Sequence, residues 1–380
     1  MGTKKSLSEK VLPKRLRDDI ERVIDPHLRV RANGNGVCST NTAKDRRAIV
    51  HACIAQLWVL GYRITKLDSL AAKHVKALME FWGEENRSPQ FLHNRLSVLR
   101  TLAGWLGKRH VVGDLSDYFP KERTRRKTAT ERNRAWKENK VDIGAIIALA
   151  KTVDERLAVM LSLQDQFGLR VKESVEFRPL NSLDDKGENL LVYVGTKGAK
   201  PRMIPIETPE QRAAFEWARR VVMEGKVKRL RWPNLTAQQA RTKFYHMLSR
   251  RLGLTKDQLK VTAHGLRYGY AQRKYERDSG GFKSPIENVG FSRGGGGAVP
   301  MPIPTELLTV PVQASKKPVP PPGLTRENHH QACLSVSRAM GHERIGVTAA
   351  YYGTYGHGLR TVSPPTTMEA PKVIFDFLKR

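Results

Sequence analysis

The chain has 380 residues, 39% hydrophobic and 27% charged, the composition of an ordinary soluble globular protein with two or three domains. It carries 67 Lys+Arg against 37 Asp+Glu, a formal net charge of +30. A surplus of that size repels itself unless a polyanion covers it, which favours nucleic acid over a merely soluble basic protein or an anionic membrane surface. No run approaches the roughly 18 apolar residues of a membrane helix, and the basic segment Met1 to Lys14 lacks the apolar stretch of a signal peptide. The three cysteines, Cys38, Cys53 and Cys333, are far apart, which argues against a disulfide framework and fits a reducing cytoplasm.

Residues 1–40 are basic and then Gly/Asn-rich (Asn33-Gly34-Asn35-Gly36). Beyond a short amphipathic helix over Ser6 to Ile24, they are expected to be a flexible arm. Residues 41–113 show the pattern of a helical bundle. Ile49, Cys53, Leu57 and Leu60 form one stripe stopped by Gly61; Leu70, Val75, Leu78 and Trp82 form a second, stopped by Gly83. The third helix starts at Ser88 as N-cap with Pro89 at its first position, runs through Leu92, Leu96, Leu99, Ala103 and Leu106, and ends at Gly107. Trp58, Trp82 and Trp105 fall in this bundle as packing groups. Residues 114–140, with Lys121 to Lys127 reading K-E-R-T-R-R-K, are expected to be a basic linker able to lie on DNA phosphates.

From 141 the helical pattern returns over Ile143 to Leu149 and Leu157 to Phe167. Leu190 to Val194, a turn at Gly195 to Lys200, and Met203 to Ile206 read as a hairpin. Thr208 with Gln211, and Thr236 with Gln239, are capping boxes that open two more helices. Residues 278–330 hold nine of the 21 prolines and the Gly294 to Gly297 run, the composition of a mobile insertion. Helical pattern resumes near Glu327 and runs through Met340. In the tail, 353–380, Val373, Ile374, Phe377 and Leu378 suggest a short helix. The fold class expected is mainly α with a small β-sheet: an N-terminal helical domain, then a larger domain over 141–352.

Four strings carry chemistry together: Gly168-Leu169-Arg170-Val171-Lys172-Glu173; the turn around Lys197; His264-Gly265-Leu266-Arg267; and Met340-Gly341-His342 with Tyr351 nine residues on. Two guanidiniums, Arg170 and Arg267, offer planar, permanently charged forks to the non-bridging oxygens of a phosphodiester, the place a metal ion takes in many phosphoryl-transfer enzymes. Tyr351 supplies a nucleophile, and a phenol with a pKa near 10 needs help at neutral pH; His264 is suited to assist proton transfer at the phosphate or the nucleophile. Tyr352 competes for the nucleophile's role. Adjacent helical residues point about 100° apart, so only one of the two can face a phosphate. Tyr268 and Tyr355 are read as packing residues. His329, His330 and Cys333 lack a second pair at ligand spacing, and neither Gly-rich stretch continues as a phosphate-binding loop.

In this order and spacing the strings resemble the catalytic domain of the tyrosine recombinases, the family of phage integrases and chromosome-dimer resolvases. The resemblance covers about 141–277 and 331–352, with a weaker fit of 41–112 to the family's core-binding domain. It implies site-specific DNA strand cleavage and rejoining through a 3′-phosphotyrosine, without metal or other cofactor, in the integration or excision of a mobile element. Arg170, Lys197, His264, Arg267, His342 and Tyr351 would be catalytic. His342 would bond the scissile phosphate, Lys197 would protonate the departing 5′ oxygen, and Glu173 would orient a catalytic side chain. Double-stranded DNA held in a C-shaped clamp, a homo-tetramer on two sites, a tail helix over 371–380 docking on a neighbour, accessory DNA-bending or directionality proteins, and a cytoplasmic, nucleoid-associated location follow from the same likeness. The 74 residues between Arg267 and His342 exceed the family's usual gap. A type IB topoisomerase-like relaxase and a non-catalytic DNA-binding regulator are the rival readings.

Overall fold

A computed structural model describes residues 6–31, 34–126, 129–130, 132–255, 261–288, 320–342 and 344–355. The chain divides into two units, residues 1–127 and 128–380.

Among its described residues the first unit is helical apart from an isolated antiparallel bridge between Val30 and Val37. It contains α1 (Leu7–Val11), α2 (Lys14–Ile24), α3 (Thr40–Val59), α4 (Ala72–Glu84), α5 (Pro89–Trp105) and the single turn α6 (Lys121–Thr124). Ser88 caps α5 as its sequence demands, its hydroxyl accepting from the Phe91 N–H with Pro89 in the first turn. Gly61 and Gly107 follow α3 and α5 with φ of +90° and +72°, left-handed values that a glycine adopts without steric cost.

Residues 1–40 are not a free arm among those described. Leu16, Ile20 and Ile24 recur every fourth residue along one face of α2, and with Leu12 and Leu28 on either side of that helix all are buried in the bundle core. Polar bonds fix the same segment. His51 bridges the Ser8 hydroxyl (2.9 Å) and Glu21 (2.7 Å), while Asp19 accepts from the Leu67 N–H at 2.7 Å. The Lys/Arg/Asp density between the apolar positions hides a stripe that is complete once the helix forms.

The expected linker at 114–140 is likewise largely folded. Leu115 is buried in the first unit, with Tyr118 and Phe119 packed against the same core. Ala135 and Trp136 are buried in the second, where the Trp136 indole donates to the Thr262 carbonyl at 2.7 Å. Isolated aromatic anchors in a charged stretch leave no periodicity to detect.

The second unit is built on α8 (Glu155–Phe167), which is buried along almost its whole length. Around it lie α7 (Ile143–Val153), α9 (Val171–Glu176), α10 (Pro209–Glu224), α11 (Ala237–Arg250), α12 (His264–Asp278), α13 (Arg326–Ala339) and α14 (Ile345–Tyr352). The hairpin is β1 (Asn189–Val192) against β2 (Arg202–Pro205), antiparallel with Val192 opposite Arg202. The turn between them passes through Gly195 and Gly198 at positive φ, with Lys197 in a short 3-10 segment. Thr208 and Thr236 form the two capping boxes with Gln211 and Gln239. Both flanks of the Pro/Gly-rich insertion belong to the fold: Ile286 and Leu324 are buried, and the Ile286 N–H donates to the Tyr352 carbonyl at 2.8 Å. Residues 289–319 and the tail helix expected at 371–380 lie outside the described residues. Among the described residues, no helix is long and apolar enough to cross a membrane.

Because Ile20 is wholly buried, Ile20→Ala should destabilise the first unit by about 2–4 kcal/mol, within the range for large-to-small core changes. This is measurable as a lower urea midpoint for the N-terminal transition. An unchanged midpoint would return residues 1–40 to the status of an arm.

Candidate active site

The site forms where the C-terminal ends of α8 and α13 meet the N-terminal ends of α9 and α12. Helix α8 stops at Gly168 (φ +60°), where an added Cβ would lie 2.4 Å from the Tyr270 ring. Glycine is required there on both counts. Arg170 is then the N-cap of α9, and Glu173 at the third helical position closes back on it, its carboxylate accepting from the Arg170 N–H at 2.8 Å. The spacing R-x-x-E is therefore half of a capping box as well as a pair of charged groups.

The other helix end is a Schellman turn. Gly341 (φ +66°) donates its N–H to the Arg338 carbonyl, and His342 donates its own to Ser337, both at 2.9 Å. That geometry sets His342 immediately past the helix and leaves the carbonyls of Ala339 and Met340 open to outside donors. Arginines take them. Arg267 donates to the Met340 carbonyl with one Nη and to the Gly168 carbonyl with the other, and Arg170 reaches Met340 at 3.4 Å. Cations at two helix C-termini also complement the helix dipoles.

At the centre is one carboxylate. Glu173 is fully buried and accepts from Arg170 Nη1 at 2.6 Å and from Arg202 Nη1 and Nη2 at 2.9 and 2.8 Å. Burial alone would raise its pKa. The charge and bonds of Arg202, then the charges of Arg267 and Arg170, outweigh it and hold the carboxyl far below the usual carboxylate range. Arg267 is wholly buried; burial pulls its guanidinium down to about 10, against the opposing pull of Tyr351, and leaves it charged at neutral pH. Three guanidiniums around one carboxylate leave an excess of positive charge suited to a phosphodiester anion.

Tyr351 faces this charge. Its hydroxyl accepts from Arg267 Nε at 3.4 Å, and the guanidinium carbon lies 5.5 Å from its ring centroid. The rings of His264, Tyr268 and His342 lie 5.6, 4.9 and 6.0 Å from the Tyr351 ring. Tyr352 points the other way. It is buried against Tyr275 with stacked rings 5.4 Å apart, its hydroxyl 3.1 Å from Thr348. The helix thus presents one tyrosine to the arginines and uses its neighbour as an anchor. The Tyr351 carbonyl accepts from Gln272 Nε2 at 3.3 Å, which also bonds Asn133 at 2.9 Å, and the Ala349 carbonyl accepts from the Thr130 N–H at 3.2 Å. Residues from the expected linker therefore hold the helix that carries Tyr351.

Of the residues singled out in sequence, Arg170, Glu173, His264, Arg267, His342 and Tyr351 come together here. Lys197 is placed by its backbone in the hairpin turn, and its side chain lies outside the described residues. Sequence reading missed Arg202 and treated Tyr268 as packing alone, whereas Tyr268 lines the site, with Arg134 6.0 Å from its ring. Arg202 had a detectable signal: it shares the inward face of β2 with the buried Ile204. Tyr355 does pack, its hydroxyl bonded to Asn288 and the Lys283 carbonyl. His329 bonds the Tyr275 hydroxyl at 2.6 Å.

The His264 imidazole is pulled down to about 4, first by partial burial and then by the charges of Arg267, Arg170 and Arg134. Solvent still reaches part of the residue, and it is neutral at pH 7, able to accept a proton from a phenol. His329 is also drawn down to about 4, by burial and then by His330.

The phage integrase N-terminal family profile matches residues 24–112 and the integrase family profile residues 127–273. The chain belongs to the tyrosine recombinase family, of the phage-integrase type. The second match ends before His342 and Tyr351, whose assignment rests on motif and geometry. Among solved structures, the integrase of the Tn1549 transposon in complex with a circular intermediate DNA is similar at 14% identity and a TM-score of 0.47, over 91% of this chain and 96% of that one. The XerH site-specific recombinase bound to its palindromic difH substrate is similar at 14% identity and a TM-score of 0.42, over 70% of this chain and 87% of that one. No curated protein matches the sequence.

In the folded chain both depressed histidines take up a proton only as pH approaches 4, whereas the unfolded chain takes one up at each near pH 6.5. Their contribution to stability is therefore complete above about pH 6.5 and is lost as pH falls toward 4. His329→Gln should make the fall of Tm over that window shallower in a thermal-denaturation series. An unchanged slope would place the His329 pKa at its ordinary value.

Proposed function

We propose that the protein is a site-specific DNA recombinase that cleaves and rejoins strands through a 3′-phosphotyrosyl intermediate at Tyr351. The observation that carries the reading is the Tyr351 hydroxyl beside the buried Arg267 guanidinium, 3.4 Å from its Nε, with two histidine rings against the same tyrosine.

The scissile phosphate would bind Arg170 and Arg267 through its non-bridging oxygens, with His342 donating a further hydrogen bond. Tyr351 Oη attacks phosphorus as its proton passes to the neutral His264 imidazole. The P–O5′ bond breaks, Lys197 gives its proton to the departing oxygen, and a 3′-phosphotyrosine and a free 5′-hydroxyl result. A 5′-hydroxyl, from the same or a second duplex, reverses the step. The phosphodiester energy is kept in the tyrosyl bond, so rejoining needs no nucleotide triphosphate. Preorganised guanidiniums stabilise the charge that develops in the transition state, the part a metal ion takes elsewhere. Glu173 orients Arg170 without touching the phosphate.

Strand exchange would take four protomers on two duplexes, with integration or excision of a mobile element as the biological use. Both units would contact DNA. The two groups of basic residues, at Lys121–Arg126 and at Arg132, Arg134 and Lys137, flank their boundary.

The reading is tested by covalent trapping. Purified protein is mixed in EDTA with nicked DNA fragments that flank its gene and then denatured in SDS. A protein–DNA adduct is expected for wild type and Tyr352→Phe and absent for Tyr351→Phe, because only Tyr351 faces the arginines. Salt-sensitive DNA binding with no adduct on any fragment would favour a non-catalytic regulator. An adduct retained in Tyr351→Phe would assign the nucleophile elsewhere.

A further inference from the structure

We propose that Arg202 is a positioning residue for strand cleavage: it fixes the hairpin arm that carries Lys197 against the Arg170–Glu173 helix and the Gly341-His342 turn. The proposal rests on the phosphotyrosine reading above.

Arg202 begins β2, five residues after Lys197 and next to Pro201, and pairs with Val192 at the end of the ladder nearest the connecting turn. Its side chain is almost wholly buried, and every nitrogen of its fork is used. Nη1 and Nη2 clasp the two oxygens of Glu173, and Nε donates to the Ala339 carbonyl at 2.8 Å. Each partner adjoins a different part of the site. Glu173 holds Arg170 at 2.6 Å, and Ala339 lies in the turn that sets His342. The turn is itself shaped around Arg202: a Cβ at Gly341 would lie 2.9 Å from Arg202 Cδ. One guanidinium therefore ties three separate chain segments, and its own segment is the arm leading to Lys197.

A residue whose work was only to close the core would not need this fork. An ammonium at the same place would keep the charge, yet it is a compact donor without the planar geometry that serves two carboxylate oxygens and a carbonyl at once. What it would lose is register. The arm has two residues at left-handed φ, Gly198 and Ala199, between Lys197 and Arg202, so its direction depends on how firmly its base is held.

The consequence is chemical and separable from folding. If Arg202 serves to place the proton donor for the departing 5′ oxygen, its loss is felt only when the leaving group needs a proton. A substrate whose bridging 5′ oxygen at the scissile position is replaced by sulfur expels a thiolate, a group with a far lower pKa than an alcohol, and needs no donor. Arg202→Lys should lower the rate of covalent adduct formation on ordinary DNA about 10²-fold, the size expected for misplacing a reacting group by about an ångström. On the sulfur substrate most of that loss should vanish, with DNA affinity unchanged on both. The double variant Arg202→Lys/Lys197→Ala should be no slower on ordinary DNA than Lys197→Ala alone. A glycine inserted after Gly198 leaves Arg202 in place and slackens only the arm. It should show the same selective rescue, and it decides the matter if Arg202→Lys does not fold. Equal loss on both substrates, or no loss, would overturn the proposal. An absence of adduct from the wild-type protein on either substrate would instead overturn the phosphotyrosine reading, and this proposal with it.

Discussion

A single buried carboxylate, Glu173, is the constraint around which the second unit is arranged. An unpaired charge at that depth would be strongly disfavoured, and so would each of the guanidiniums around it. Glu173 satisfies Arg170 and Arg202 by direct bonds and Arg267 by its field. The cluster remains short of negative charge by design of its composition. It is stable enough to hold its shape without a ligand and still favours an anion at the one side chain with some exposure, Arg170, whose side chain is 21% accessible.

The remaining donors are met by helix ends. Gly168 and Met340 present carbonyls that no intrahelical N–H can use, and Arg267 takes both. This explains why the motif glycines stand where they do. Gly168 and Gly341 turn the chain at positive φ with a side chain packed where a Cβ would sit, Tyr270 in one case and Arg202 in the other. Gly265 makes a similar allowance for Trp136, whose indole would lie 2.5 Å from an added Cβ. The strings G-L-R, H-G-L-R and G-H thus combine a reactive group with the backbone geometry that aims it.

That coupling is why the site was legible in sequence while parts of the fold were not. Short strings whose residues interact within one turn, such as Arg170 with Glu173 or Thr208 with Gln211, carry their structure locally. The helices of the bundle could be delimited from Ser88, Pro89, Gly61 and Gly107 for the same reason. Residues 1–40 and 114–140 were misread because their apolar groups are sparse among Lys, Arg and Asp and find their partners far along the chain, as Trp136 does with Thr262. Arg202 was overlooked because a charged residue on a short strand is ordinarily exposed; its place on the same face as Ile204 points inward, but only the tertiary fold supplies Glu173 as its partner. The choice between Tyr351 and Tyr352 rested on spacing in sequence. In the structure the two side chains have different surroundings, arginine and histidine for one and a closed aromatic core for the other.

On the proposed mechanism Tyr351 is the point at which protein and DNA are joined. The most direct measurement is mass spectrometry of the peptide recovered after denaturing a reaction with nicked DNA and digesting it with nuclease and protease. The account predicts a nucleotide joined through its 3′ phosphate to Tyr351, with fragment ions that leave Tyr352 unmodified. A nucleotide on any other residue, or one attached through a 5′ phosphate, would contradict it.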